Sequence, residues 1–272
     1  MVAWSKLNSQ VMVRHKVQRS LSNLYSAFWS LYGRYAWDDQ REPSRVSEPP
    51  ERIVDIVRKR RRHPDEWVLD AGCGTGNYAI ALAQAGFCVI GTDFAAGMLA
   101  KAQDKVTHDL SRLVSFQRAD LNVPLEFPEA RFDHIISISV LQAVADPLFT
   151  LGELHRVLKP GGTLVLSLPK HDATLFSQPV NALIRYRIRH LERRTPGKIL
   201  LVILKSFGDR FGNRPRWTRL QAQQMVSATG FKVVSLEEGR QILVVAEKAA
   251  PTDGLPADAF TPKALGGVQE GV

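Results

Sequence analysis

The run Val68-Leu69-Asp70-Ala71-Gly72-Cys73-Gly74-Thr75-Gly76 constrains this chain more than any other stretch. A short apolar segment that ends in an acid and passes straight into small residues reads as a buried strand, a tight loop and the first turn of a helix. Alternate glycines allow positive φ and let a ligand approach the main chain where side chains would otherwise stand. At a helix start, backbone amides and the helix dipole favour an anionic or polar ligand group. The spacing is Gly-x-Gly-x-Gly over residues 72–76, followed by Asn77, whereas a dinucleotide fingerprint places a further residue before its third glycine. A nicotinamide or flavin dinucleotide is therefore disfavoured.

Downstream, apolar runs alternate with helical patterns, the signature of an α/β fold with a mostly parallel sheet covered on both faces. Strands are expected over Trp67–Asp70, Phe87–Thr92, Leu113–Arg118, Phe132–Ser139 and Gly162–Leu168, with helices over Tyr78–Gln84, Ala95–Val106 and Pro147–Leu158. A last helix runs from Arg219 to Thr229 and stops at Gly230. Phe231–Leu236 and Gln241–Lys248 then form an antiparallel edge hairpin, which makes seven strands. The expected organisation is a helical, aromatic-rich cap over residues 1–47 (Tyr25, Phe28, Trp29, Tyr32, Tyr35, Trp37), a core over 48–169, a basic helical insert over 170–218, the end of the sheet over 219–248 and a disordered tail over 249–272.

Composition narrows the setting. No apolar run reaches the roughly 18 to 20 residues that span a bilayer, and MVAWSKLNSQ lacks the apolar core of a secretory signal, so a cytoplasmic protein is expected. Cys73 and Cys88 are the only cysteines, which leaves no disulfide framework and no metal cluster. The net charge of +9 is localised: Lys170 to Arg219 holds twelve Lys and Arg against three acids, a difference equal to the whole excess.

Two more acids follow the loop at strand ends. Asp93 closes the second strand, where a carboxylate takes ribose hydroxyls. Asp120 follows the third, placed to accept from an adenine amino group, with Phe94 and Leu121 to sandwich the ring. Taken singly, each acid also fits a helix cap or a turn. Jointly, three carboxylates at consecutive strand ends converge on one edge.

With these residues the chain resembles the class I S-adenosylmethionine-dependent methyltransferases, in particular the branch with ubiquinone and menaquinone C-methyltransferases, over roughly residues 45–247. The matching pieces are Val68–Gly76, Thr92-Asp93 with Met98-Leu99, Ala119-Asp120-Leu121, Phe132–Ser137 and the run Glu153–Leu164 around Lys159-Pro160-Gly161-Gly162. The resemblance implies a Rossmann-like, doubly wound sheet and S-adenosyl-L-methionine as cofactor, with S-adenosyl-L-homocysteine as product. It implies cofactor contacts from Asp70, Ala71, Gly72, Gly74 and Asn77 in the loop, and from Asp93, Phe94, Met98, Asp120 and Leu121 beyond it. Ser137 and Gln142 fall where such enzymes meet the methionine end and the substrate. The Lys159–Gly162 turn is structural. Where the branch often carries a histidine pair, this chain has Leu141-Gln142-Ala143, which puts a histidine base there in doubt.

Methyl transfer from a sulfonium needs alignment and desolvation of the acceptor more than a protein nucleophile or a metal. A base helps when the acceptor is a hydroxyl or an activated carbon. His171, just past the fifth strand, is the best-placed candidate, with Gln142 the other acceptor-side residue; an exposed loop histidine is the plain alternative. His134 and His155 lie inside strand and helix patterns and read as packing histidines. In the insert, Val180, Leu183, Ile184, Ile188 and Leu191 form an apolar stripe beside Arg185, Arg189 and Arg193, and Ile199–Leu204 is too short to cross a membrane. The expected acceptor is small and hydrophobic, with peripheral membrane contact through this basic helix. The alternatives are a nucleic-acid or RNA methyltransferase that uses the arginines and a catalytically silent cofactor-binding protein.

Overall fold

Apolar residues that continue through a strand without alternation must be covered on both faces, and this is how the sheet is built. The structure, a computed structural model, describes residues 48–171 and 215–250 together with residues 27, 28 and 31. Most of the expected aromatic cap, the insert helix with its arginines, and the tail past residue 250 lie outside these residues. Seven strands form one sheet in the order β3-β2-β1-β4-β5-β7-β6. They are β1 (Trp67–Ala71), β2 (Cys88–Asp93), β3 (Val114–Arg118), β4 (Phe132–Ile138), β5 (Leu158–Pro169), β6 (Phe231–Glu238) and β7 (Gln241–Lys248). The first five are parallel, and β7 runs antiparallel between β5 and β6.

The described helices are α1 (Pro50–Arg58), α2 (Asn77–Gln84), α3 (Ala96–Asp104), α4 (Pro147–Val157) and α5 (Arg219–Ala228). The two-residue period of the strands sorts neighbours to opposite faces. Leu69, Ile135, Leu164, Leu166 and Val244 pack against Leu151 and Leu154 of α4 and Val226 of α5. Val68, Val89, Ile136, Val165 and Leu243 pack against Ile53 and Val57 of α1 and Leu82 of α2. Local signals start two helices: the Asp146 carboxylate accepts from the amides of Leu148 and Phe149, and Thr218 forms a reciprocal capping box with Gln221.

Three departures from the sequence expectations have clear causes. Helix α1 was not anticipated, because it is a single short amphipathic turn-pair behind two prolines, with Pro50 at its first position. Strand β4 stops at Ile138, since Ser139 adopts φ 59°. Strand β5 begins at Leu158 instead of Gly162: Leu158 pairs with Phe132, and the ladder then shifts register so that Thr163 pairs with His134. The Lys159-Pro-Gly-Gly segment is thus a loop-out within a strand, and Lys159 anchors it by donating to both oxygens of Asp133 at 2.9 Å.

Asp133 is almost fully buried and also accepts from the Trp67 amide at 3.0 Å. Burial alone would raise its pKa, but the Lys159 bond, the Trp67 amide and the Lys159 and His63 charges outweigh this and hold it below the usual carboxylate range. Its depressed pKa stabilises the fold above the ordinary carboxylate range, and that contribution is lost as pH falls through the native value. Removing Lys159 strands a buried anion. Lys159→Ala is expected to cost about 2 kcal/mol, reduced from the fully buried case because the lysine is partly exposed. Urea denaturation would check this; an unchanged midpoint would refute it.

The opposite, amino-terminal edge of the sheet is rich in charge, much of it paired within the protein. His134 is fully buried with Nε2 2.8 Å from Glu66 Oε2, and burial lowers its pKa despite that partner. His155 packs edge-on against Phe231 with ring centroids 4.9 Å apart. His63, Glu66 and Asp133 bring ligand-type atoms within 4.8 Å of one another, but Lys159 and Arg62 occupy the same neighbourhood. In the basic run Arg58–Arg62, Arg60, Arg61 and Arg62 hold the carbonyls of Ile56, Gly86 and Gly161. Those cations act as internal caps.

Candidate active site

The carboxyl ends of the parallel strands bring the sequence-singled residues to one edge. Asp70 ends up almost fully buried near the close of β1, and its Oδ2 has no hydrogen-bond partner among the described residues. Burial raises its pKa from 3.8 to about 8; the Ala79 backbone bond opposes this and the negative charge of Asp93 adds to it. A carboxyl kept this dry holds its proton near neutral pH, and a cation bound beside it would favour the ionised form. Asp93 closes β2 and accepts from the Gly74 amide with Oδ2 at 3.0 Å and from the Ala95 amide with Oδ1 at 2.9 Å. Burial raises its pKa, against the pull of the Ala95, Gly74 and Phe94 amides. Each of its oxygens keeps a lone pair for a hydroxyl.

The glycine loop works differently from the sequence expectation. Gly72 and Cys73 both donate their amides to the Thr92 carbonyl at 2.8 Å, Gly74 donates to Asp93, and Gly76 donates to Cys73 at 2.9 Å. These amides are engaged within the protein, so the loop does not offer them as an anion cradle. What it offers is room. Gly72 sits at φ +83°, and a Cβ there would meet Val140 Cγ2 at 2.4 Å; Gly74 sits at φ +55°, and a Cβ there would meet nothing within 4 Å. One side of the loop is sealed by Val140 while the other opens outward.

The remaining residues divide by what they touch. Ser137 is buried at the end of β4, and its hydroxyl donates to the Ala71 carbonyl at 2.9 Å, which ties β4 to β1. Asn77 Oδ1 accepts from Lys105 Nζ at 2.9 Å, and the same ammonium reaches the Thr75 hydroxyl oxygen at 3.0 Å. Ser137 and Asn77 therefore hold the loop in shape. Asp120 Oδ1 accepts from the Asn122 amide and side chain at 2.9 and 2.7 Å, a turn contact that leaves Oδ2 without a partner among the described residues. Phe94 is half-buried, and its carbonyl accepts from Arg118; Met98 and Leu121 are buried.

Of the two residues expected at the acceptor side, Gln142 lies in a short 3-10 turn, Leu141–Ala143, and donates to the Ser139 carbonyl at 2.6 Å while its Oε1 is enclosed without a partner among the described residues. His171 is exposed, with its amide donating to the Trp217 carbonyl at 2.9 Å beside the Lys170–Trp217 bridge. Three residues went unnoticed in the sequence: Val140 as the wall behind Gly72, and Ser139 and Gln241, whose side chains bond at 2.9 Å. A serine and a glutamine about a hundred residues apart carry no local signal. Residues 172–214, on which the acceptor-cap and nucleic-acid readings rest, lie outside the described residues. Among the described residues no helix is long and apolar enough to cross a membrane.

Comparison with known proteins adds three findings. Residues 69–166 match the family model described as a methyltransferase domain. The chain is 34% identical over 126 residues to the demethylmenaquinone methyltransferase of Geobacillus kaustophilus, covering 45% of this chain and 53% of that protein. It is 31% identical over 136 residues to the ubiquinone biosynthesis O-methyltransferase of Pseudomonas paraeruginosa, covering 48% and 56% respectively. The aligned region thus spans about half the length of these relatives. Among solved structures, magnesium protoporphyrin IX methyltransferase from Synechocystis with bound S-adenosyl-L-homocysteine superposes with a TM-score of 0.52 at 21% identity, covering 74% of this chain and 82% of that one. At that identity the likeness concerns the fold.

Proposed function

Taking as premise that residues 69–166 are a methyltransferase domain, we propose that the chain transfers a methyl group from S-adenosyl-L-methionine to a small, hydrophobic acceptor. The observation that carries this reading is the pairing of Asp70 Oδ2, buried without a partner among the described residues, with the open face of Gly74, whose amide donates to Asp93. A cationic cofactor with a ribose suits that set: an unpaired carboxylate, space beside the main chain, and a second carboxylate with lone pairs to spare.

When bound, the cofactor would supply an electrophilic methyl on a sulfonium whose thioether is a good leaving group. Asp93 would hold the ribose hydroxyls and Asp120 Oδ2 the adenine amino group, with Phe94, Met98 and Leu121 giving the apolar surround. A bound sulfonium would draw the raised Asp70 pKa down, and the ionised carboxylate would then compensate positive charge near the reacting end. Its burial strengthens that interaction, because fixed charges act more strongly where water is excluded. Gln142 and His171 would serve the acceptor. Gln142 orients but cannot take a proton; His171 is the available base where the acceptor is a hydroxyl. One relative is named for demethylmenaquinone and the other for ubiquinone biosynthesis, which supports a ring acceptor, by O- or C-methylation.

Asp93→Ala is expected to weaken S-adenosyl-L-homocysteine binding by about 1.5 to 3 kcal/mol, the range for losing a charged hydrogen-bond partner. Isothermal calorimetry on the folded variant would read it. Unaltered affinity would remove Asp93 from the site, and no binding by the parent protein would remove the cofactor itself.

A further inference from the structure

Asp70 stands near the end of β1 between strand partners without charge, Gly91 on β2 and Ile136 on β4. It keeps a backbone bond to Ala79 of α2, and its Oδ2 has no partner among the described residues. Acids, not cations, surround it. The Asp93 charge acts on it, and the Cys73 thiol is pushed up by burial and then by the charges of Asp70 and Asp93. The cations of the adjoining elements are committed elsewhere. Lys105 holds the Thr75 oxygens and Asn77 Oδ1, Arg118 holds the Phe94 carbonyl, and Arg52 holds the carboxylates of Glu48 and Glu237. The Tyr78 hydroxyl donates to the Glu48 carbonyl, and the amides of Gly72, Cys73, Gly74 and Gly76 go to Thr92, Asp93 and Cys73.

Ionised in that setting, Asp70 would be a buried anion with a second carboxylate nearby and no counterion among these groups, the arrangement in which an acid stays neutral. The loop beside it opens outward at Gly74, where an added carbon would meet nothing within 4 Å. Coulomb forces need no contact, so a charge lodged at that opening acts on Asp70 through the intervening loop. An opposite charge within roughly 4 to 6 Å lowers a carboxyl's proton affinity by about ten- to a thousandfold. The cofactor and its product differ by one such charge. Both carry an ammonium and a carboxylate, but the sulfur is a sulfonium in the first and a neutral thioether in the second.

Resting on the cofactor reading above, we infer that Asp70 senses this charge: it holds its proton in the empty site and beside the product, and releases it to water when the sulfonium form binds. Sulfonium binding therefore strengthens as pH rises, whereas Asp70 gives product binding no such dependence. Asp70 thus sets the preference of the site for fresh cofactor over product, and loss of the sulfonium charge draws a proton back to it from water.

Calorimetry on the full chain at about pH 6.5, in buffers of different ionisation enthalpy, would count the protons exchanged with S-adenosyl-L-methionine and with S-adenosyl-L-homocysteine. The parent is expected to release at least about half a proton more with the former, and its affinity ratio for the two ligands is expected to rise at least about fivefold between about pH 5.5 and about pH 7. The contacts of Asp93 with a ribose are common to both ligands and cancel in the difference. Asp70→Asn, which imitates the protonated carboxyl, is expected to show equal proton counts, a flat ratio and parental affinity for S-adenosyl-L-homocysteine. Equal counts in the parent, or a difference that persists in Asp70→Asn, would overturn the inference and leave the cofactor reading intact. If the variant fails to fold, infrared difference spectra of the parent decide: a protonated-carboxyl band is expected to vanish with S-adenosyl-L-methionine and to stay with S-adenosyl-L-homocysteine, and a band unaltered by both would overturn the inference. Binding of neither ligand would instead sink the cofactor reading and this inference with it.

Discussion

Asp70→Asn is expected to stabilise the cofactor-free protein at neutral pH and above, and to flatten its stability profile across the interval between pH 3.8 and about pH 8. Burial is the main reason that the native carboxyl holds its proton to about pH 8, with the Asp93 charge adding to it and the Ala79 backbone bond working against it. The native state therefore keeps a proton that the unfolded chain has already released. A raised native pKa means that this contribution is fully present below the unfolded value, erodes as pH rises, and is gone above the native one. At about 1.4 kcal/mol per pKa unit, the effect amounts to several kcal/mol by neutral pH. The asparagine cannot ionise, so its folded state carries no such penalty. Chemical denaturation of both proteins at about pH 5 and about pH 8 would measure it. Parallel profiles for the two would show that Asp70 is not the group responsible. The sign is opposite to that of Asp133, whose depressed pKa makes the fold weaker toward acid.

Gly72→Ala is expected to lose about 2 to 4 kcal/mol of stability, from two penalties that add. The backbone stands at φ +83°, which a residue with a Cβ adopts at a cost of roughly 1 kcal/mol or more. The new methyl would also meet Val140 Cγ2 at 2.4 Å and Cγ1 at 2.8 Å, and overpacking of this kind costs typically 1 to 3 kcal/mol. Gly74→Ala separates folding from binding. Its φ of +55° imposes only the conformational part, because nothing lies within 4 Å of the added carbon. It should stay folded with a loss of about 1 kcal/mol and bind S-adenosyl-L-homocysteine at least about tenfold more weakly, because the methyl occupies the open side of the loop. Urea midpoints and calorimetry on the pair would read both quantities. Equal destabilisation of the two variants, or cofactor affinity untouched at Gly74, would contradict this division of the loop into a sealed and an open side.

Where pattern and chemistry coincide locally, the sequence was sufficient. The strand-to-loop transition at Asp70, the acid at the close of β2 and the alternation of apolar runs with helices are properties of neighbouring residues. They led to the α/β sheet, its antiparallel edge and most strand positions within a residue or two. Helix α1 escaped because it is only nine residues long and begins behind Pro49 and Pro50, although Ile53, Val54 and Val57 mark a buried face. The early start of β5 escaped because Lys159-Pro-Gly-Gly is good turn chemistry, and nothing in those residues announces that Leu158 already pairs with Phe132.

The sequence by itself singled out the residues that gather at one edge of the sheet: the small loop, Asp70, Asp93 and Asp120 are visible in residue type and spacing, since each depends on the end of the strand that bears it. Only the tertiary structure decided what each of them is free to do. Hydrogen bonding is a matter of partners, and partners come from other strands. Thr92 and Asp93 take the loop amides that looked available for a ligand, Lys105 takes Asn77, and Ala71 takes Ser137. Among the described residues the same accounting leaves two buried side-chain oxygens without donors, Asp70 Oδ2 and Gln142 Oε1. Neither could be found without knowing which neighbours the fold had withheld.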